Sequence, residues 1–348
     1  DIADHCTICH RCLAPCPVNI DFGDVTILMR KLLIDHKQRR SHFGTRMAMH
    51  FLNVTDPRLI RLMRFGMIQL GYASQRMLSR LAKQFKLIPS QESEPRSTTG
   101  KPSVSRQLVQ FAANPLPRLE PPKTLRALLQ LENNNEVPVL SFPDKLNGEH
   151  KAVFYFPGCG SERLFSEIGL ATIAALAVSG VKVILPPAYL CCGYPQKAQG
   201  ETERAQQINT QNRVLFHRLA SSLADLDVGH VIVSCGTCMD QLLDYQFDRI
   251  FPGCRQLDIH EYMLENDFRL PTVPGREYVF HEPCHNPMKH HDSGHVASAL
   301  LGKKVVQSDR CCGESGTFAV SRPDIAQQVR YRKLESLNDS VAQIHART

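Results

Sequence analysis

Apolar positions recur along this chain with two different periods, and the change of period divides it. From Val25 to His36, and again from about His42 to Lys86, they return every three or four residues, as on one face of a helix. In the second stretch Asp56-Pro57 supplies a helix start, with a carboxylate to cap the first amides and a proline at the first helical position. Leu59, Ile60, Met63, Met67 and Leu70 follow at helical spacing, while Gly66 and Gly71 argue against one unbroken helix. From about Ile88 to Lys123 the composition turns to Ser, Thr, Pro and Arg, as in Pro89-Ser90-Gln91 and Leu116-Pro117. That predicts a linker or draped segment, with a short helix over Leu125 to Leu131.

From Lys151 onward short apolar runs alternate with helical patterns. Strands are predicted over Ala152–Phe156, Val181–Leu185 and Val231–Ser234, with helices over Ser166–Val178 and around Glu203–Leu219. A weaker copy follows: strands over Tyr278–His281 and Lys304–Gln307, then a helix from Pro323. The repeat predicts an α/β pair with mostly parallel sheets inside a chain that is α+β overall. The expected units are a helical ferredoxin-like segment (1–40), a basic helical insert (41–88), a Pro/Ser-rich linker with its short helix (89–150), and two cysteine-rich repeats (151–270 and 271–348).

Composition narrows the chemistry. The 43% apolar share supports a real core, and the net charge of +7 is a mild basic bias. No dense Lys/Arg block with interleaved aromatics suggests nucleic acid, and a basic protein suits a negatively charged thiolate cluster. No apolar run reaches the roughly 18 residues of a membrane span, and no charged-then-apolar leader is present. The expected location is therefore cytoplasmic, or peripheral on the inner face of the cytoplasmic membrane. Thirteen cysteines without a secretory signal are read as metal ligands rather than disulfides.

Those cysteines fall into three sets. Cys6, Cys9, Cys12 and Cys16, followed by Pro17, have the C-x2-C-x2-C-x3-C-P spacing that holds a [4Fe–4S] cluster, against a zinc knuckle as the bland alternative. In two-cluster ferredoxins the fourth cysteine serves the other cluster, so ligands upstream of Asp1 are expected. Cys159, Cys191, Cys192, Cys235 and Cys238 form the second set. Adjacent cysteines make strained disulfides, and five thiols exceed the four sites of tetrahedral zinc. An unusual iron–sulfur assembly, another iron–sulfur centre and zinc all stay open. Cys284, Cys311 and Cys312 form the third set, a metal centre of iron–sulfur or zinc type. Its closing Cys-x-x-Cys is absent before Thr348, so it is expected to lie beyond the end of a truncated chain or to be degenerate.

The run Cys159…Cys191-Cys192-Gly193…Cys235-x-x-Cys238 resembles the cysteine-rich CCG domain of heterodisulfide reductase catalytic subunits. The same domain occurs in the iron–sulfur subunits of glycolate oxidase, lactate-utilisation enzymes and anaerobic glycerol-3-phosphate dehydrogenase. The N-terminal run with Val18-Asn19-Ile20-Asp21 is similar to their second cluster motif, whereas residues 41–150 lie outside the resemblance. It implies a noncubane [4Fe–4S] cluster on Cys159, Cys191, Cys192, Cys235 and Cys238. It also implies an FAD-dependent dehydrogenase as a partner or fused domain, with electrons relayed from a 2-hydroxyacid such as D-lactate or glycolate to a quinone. A heterodisulfide-type thiol–disulfide reductase is the rival enzyme, with a disulfide as acceptor, and a zinc-bound scaffold is the non-enzymatic alternative.

Other features have plainer readings. His281, His285, His290, His291, His295 and Glu282 surround Cys284 and are read first as polar loop residues, with metal or proton roles second. Cys254 is read as a buried structural thiol. Gly158 and Gly160 beside Cys159 form no phosphate-loop motif and are read as letting the backbone approach a cluster. Arg58, Arg61, Arg64, Arg76 and Arg80 read as a solvated face packed on a partner, or as a membrane-surface face. No Walker, Rossmann or Ser/His/Asp signature stands out, and no catalytic residue is assigned.

Overall fold

The computed structural model describes residues 5–39, 43–88, 123–142, 151–272, 274–313 and 322–345, with single positions at 109, 112–113, 115–116 and 318. Most of the predicted Ser/Pro-rich linker lies outside the described residues.

Helix α1 (Phe22–Asp35) begins where Asp21 accepts a hydrogen bond from the Gly23 amide at 2.7 Å. After α2 (Phe43–Asn53), Asp56 caps α3 (Pro57–Met63) by accepting from the amides of Arg58 and Leu59 at 2.7 and 2.9 Å. The helical path does not break at the two glycines. It widens into a π-helical stretch, Arg64–Leu70, and runs on as α4 (Gly71–Gln84). Within that stretch Arg64 is buried and donates to the carbonyls of Arg163 and Leu164, so it leaves the solvated arginine face expected of it. Arg61 pairs with Glu132 at 3.4 Å. The burial of α4 is also inverted: Gln75, Ser79 and Ala82 face inward while Met77, Leu78 and Leu81 face out.

The short helix α5 (Leu125–Leu129) ends at Gln130, whose left-handed φ of 60° turns the chain toward β1 (Val139–Leu140). Then come β2 (Lys151–Phe156), α6 (Ser166–Val178), β3 (Lys182–Ile184), α7 (Tyr194–Ala198), α8 (Thr202–Ser222), β4 (Asp227–Val233), α9 (Gly236–Leu242), β5 (Arg255–Asp258) and α10 (Ile259–Glu265). The sheet order is β1-β3-β2-β4-β5, with β1 antiparallel to β3 and every other pair parallel.

Residues 152–156 of β2 are all buried, as expected of a parallel strand covered on both faces. Its alternate side chains feed two cores. Phe154 and Phe156 join Phe216 of α8 on one face, and Val153 and Tyr155 join Ile173 and Leu176 of α6 on the other. Strands β1 and β5 and helix α10 go beyond the elements that periodicity predicts, because β1 and β5 are short edge strands and β5 opens on Arg255-Gln256.

The second copy is smaller. β6 (Val279–His281) pairs in parallel with β7 (Val306–Ser308), α11 (Ser293–Leu301) connects them, and α12 (Pro323–His345) packs across them. α11 gives Val296 and Leu300 to the core beside α6 and α10, so the copies share apolar packing.

Candidate metal centres

All thirteen cysteines are free of disulfides. The first set sits at the carboxyl ends of three neighbouring strands. Cys159 follows β2, Cys191 and Cys192 lie beyond β3, and Cys235 and Cys238 flank the turn from β4 into α9. Parallel pairing therefore gathers three loops that are 30 or more residues apart in sequence, at the position where open α/β sheets place ligands.

The five thiols lie near enough to shift one another's ionisation in series: Cys159 with Cys191, Cys191 with Cys192, and Cys238 with both Cys192 and Cys235. Donation to Cys191, together with burial, pushes the Cys159 thiol up, and donation to Cys192 and Cys235 does the same for Cys238. At Cys191 the bond from Cys159 favours the thiolate, but donation to Cys192 and burial outweigh it and hold the group at about 12. The bond from Cys238 draws Cys235 down to about 6, and Cys192 is drawn down by its two thiol donors, Cys191 first.

Three devices hold this set. Gly158 has φ 67°, and a Cβ there would lie 2.6 Å from the Cys238 sulfur, so glycine is required by close approach. Asn212 on α8 donates to the Cys191 carbonyl at 2.9 Å and to the Tyr245 hydroxyl at 3.0 Å, and Tyr245 donates to the Cys192 carbonyl at 3.1 Å. Beneath, the buried pair Arg126–Glu162 closes at 2.5 Å, and Arg126 also donates to the carbonyls of Pro186 and Ala188, bracing the loop that leads to Cys191. Arg163 donates to the Tyr189 carbonyl and favours the Cys159 thiolate by its charge. None of these cradle residues stands out in the sequence. Arg126 and Glu162 carry no local signal, because their significance lies in being buried together.

Cys311 and Cys312 follow β7 as Cys191 and Cys192 follow β3, and Cys284 follows β6. Both copies turn after the paired cysteines on a left-handed glycine packed against the next long helix. Gly193 (φ 92°) has the Ala205 carbonyl 3.2 Å from where a Cβ would stand, and Gly313 (φ 74°) has that of Ala326 at 2.8 Å. Cys284 lies near enough to Cys311 and Cys9, and Cys311 to Cys312, for the thiols to shift one another's ionisation. Lys333 of α12 is buried beside this set and donates to Ser308 and to His281 Nδ1. Burial lowers its pKa, while the nearby Cys312 and Cys311 favour its ammonium form.

In the N-terminal run Cys12 donates to Asp21 at 3.8 Å, Cys16 accepts from the Ile20 amide at 3.3 Å, and Cys6 accepts from the Ile8 amide at 3.4 Å. Arg30 of α1 binds the Cys6 carbonyl at 2.8 Å and the Ala198 carbonyl at 2.5 Å, fastening the run to the first copy. Among the described residues, the one group of three metal-ligating side chains with ligand atoms all within 4.8 Å of each other is His10, Asp21 and Asp24. His10 and Asp21 are hydrogen-bonded at 2.6 Å.

Among the histidines near Cys284, the backbone amides of His290 and His291 donate to Glu261, and the His295 amide donates to Asp292. His285 is the exception in position: it pairs with Asp240 at 2.6 Å, and its Nε2 meets the Ile8 carbonyl at 3.0 Å and the Tyr194 hydroxyl at 3.3 Å. The hydrogen bond to Asp240 pushes its pKa up. Cys254 is only half-buried, a correction to the buried thiol expected, and that burial raises its pKa to about 11.

The cysteine-rich domain model matches residues 153–243 and 278–346. An uncharacterized iron–sulfur protein of Methanococcus maripaludis is 25% identical over 220 residues, 58% of this chain and 42% of that protein. A fumarate reductase (CoM/CoB) subunit from Methanothermobacter marburgensis is 24% identical over 197 residues, 53% of this chain and 37% of that protein. Lactate utilization protein A of Geobacillus thermodenitrificans is 26% identical over 219 residues, 54% of this chain and 82% of that protein. The chain spans about two fifths of the length of the first two relatives. No solved structure matches. Residues 153–243 and 278–346 thus each match the cysteine-rich CCG domain, two such matches on one chain.

Proposed function

We propose that this chain is an iron–sulfur electron-transfer module of an oxidoreductase, with its principal centre on Cys159, Cys191, Cys192, Cys235 and Cys238. The observation that carries this is the gathering of five thiols at the crest of a parallel sheet. A tetrahedral zinc site at Zn–S distances of 2.3 Å needs its sulfurs about 3.8 Å apart on every side. Five thiols also exceed the four sites of tetrahedral zinc, which suits a polynuclear centre. An iron–sulfur cluster there supplies one-electron chemistry at a potential tuned by burial and hydrogen bonds. The chain's own residues keep the centre dry and fix its ligands. Cys191, Cys192 and Cys238 are buried, Asn212 and Tyr245 hold the two adjacent cysteine carbonyls, and Gly158 lets Cys238 close in.

The N-terminal run is the entry point for electrons in this reading, because Arg30 ties it to the first copy. The outward face of α1 offers Phe22, Leu28 and Leu32, each 57–60% exposed, as a docking surface for the electron donor. A flavin-dependent 2-hydroxyacid dehydrogenase fits the lactate-utilization likeness, with a quinone as acceptor. The second reading is a heterodisulfide-type thiol–disulfide reductase, on the likeness of the cysteine-rich domain. No helix among the described residues is long and apolar enough to cross a membrane, so contact with a membrane quinone would be peripheral.

The test is metal and sulfide analysis with visible spectroscopy on anaerobically purified protein. Iron with acid-labile sulfide, and absorption that bleaches with dithionite, are expected. Stoichiometric zinc without iron would sink the electron-transfer reading. Turnover with a quinone analogue against a mixed disulfide then separates the two acceptors.

A further inference from the structure

The helical insert turns an apolar stripe outward. Along the continuous path of α3, the π-helical stretch and α4, Leu62, Phe65, Leu70, Met77, Leu81 and Phe85 are each 43–70% exposed. Steps of three, four or seven residues keep them on one side of an α-helix. The step of five from Phe65 to Leu70 would not, but it falls in the π-helical stretch, whose i→i+5 turn holds one residue more. The opposite side fastens the insert to the first repeat. Ile60, Met63 and Ile68 pack with Tyr189 and Leu164, which lie in the loops that carry Cys191 and Cys159. Gln196, in the helix after Cys192, donates to Asn53 at the end of α2 at 2.6 Å. The stripe is therefore held in a set position relative to the first thiol set.

Charge decides what the stripe fits. From Pro57 to Ile88 the sequence holds arginines and lysines but no aspartate or glutamate. Asp56, just before, is occupied in capping α3. Arg58, Arg80 and Lys86 are exposed on the same segment, where their long apolar stems can lie along the stripe while the charged ends reach outward. The exposed apolar face of α1 differs, because Asp24 and Asp35 are exposed on that helix and anionic lipid would repel them. We infer that the insert lies on a bilayer carrying anionic lipid, with its apolar stripe dipped into the surface and its basic side chains at the headgroups. An interfacial helix of this kind buries its apolar face roughly 5–10 Å deep. The insert then stands between the lipid and the loops of the first thiol set. This inference stands on the insert's own residues and does not depend on which metal those thiols hold.

The chain has no tryptophan, so Phe65→Trp installs a single fluorescent reporter in the stripe, and Val214→Trp, at an exposed position of α8, serves as its control. Vesicles of phosphatidylcholine with phosphatidylglycerol, added to the full chain, should shift the Phe65→Trp emission to shorter wavelength and leave Val214→Trp unmoved. Vesicles of phosphatidylcholine alone should bind far more weakly. Arg80→Gln combined with Lys86→Gln should weaken co-sedimentation with the anionic vesicles roughly 30-fold at low salt, the ratio for about 1 kcal/mol from each of two basic residues. Equal shifts at both reporters, or a double variant that sediments like wild type, would overturn the inference. Wild type that ignores the vesicles would overturn it as well, and a concentration-dependent dimer lost in Leu62→Ser would then assign the stripe to a second copy of the chain. Every substituted side chain is exposed, and iron content should not change in any variant, so failure here is read apart from failure of the electron-transfer proposal.

Discussion

The two CCG repeats share one local design and differ in how much of it each supplies. In both, a strand leads to a single cysteine, another strand to a cysteine pair, and a left-handed glycine seats the turn against a long helix. The first repeat carries this on a five-stranded sheet with cores on both faces; among the described residues the second has two strands. The larger sheet adds β4, and β4 delivers Cys235 and Cys238. In the first repeat, then, the number of ligands presented follows from the number of strands whose carboxyl ends meet at the crest.

The sharpest break of this comparison is Cys192→Ser against Cys312→Ser. Losing Cys192, at the middle of the five-thiol series, should reduce retained iron by more than the ~10–100-fold that loss of an outer-shell partner costs. Cys312 ends its series, so its loss should cost less; iron per chain after desalting measures both. Next in size is Glu162→Gln, which leaves Arg126 buried without its counter-charge and should destabilise the first repeat by about 3–5 kcal/mol in chemical denaturation. The second repeat should not respond to it.

Much of this arrangement is legible from residue order, and the parts that are not have a common cause. The buried run Val153-Phe154-Tyr155-Phe156 and the cysteines after it mark strands and crest, because both depend on neighbours in sequence. Asp56-Pro57 marks a helix start for the same reason. The burial of Arg64, the Arg126–Glu162 pair and the Asn212–Tyr245 cradle depend on segments tens of residues apart, and nothing local distinguishes those residues from surface ones. Gly66 misleads because a π-helical stretch absorbs it without ending the helix.

Two smaller effects sharpen the comparison. Gly236→Ala places a methyl on the His285 carbonyl, 1.7 Å from the ideal Cβ position, and should cost about 1–3 kcal/mol. It acts on the contact between repeats, so the thermal transition should broaden or split. Gly193→Ala and Gly313→Ala each impose a left-handed conformation costing about 1–2 kcal/mol. The second should be the worse of the two, since its neighbouring carbonyl is nearer, 2.8 against 3.2 Å. Melting temperatures of the pair would show whether the shared turn carries equal weight in both repeats.

The seat of the His285 carbonyl against Gly236 also bears on motion. Gly236 lies inside the Cys235-Gly236-Thr237-Cys238 loop, and His285 directly follows Cys284. Where one backbone fills the space a side chain would need, the two loops have no clearance in which to move closer. Any displacement of one repeat toward the other must be felt at Cys235, Cys238 and Cys284 together. Backbone contact therefore sets how near the two thiol sets can come, as a stop sets the closed position of a gap.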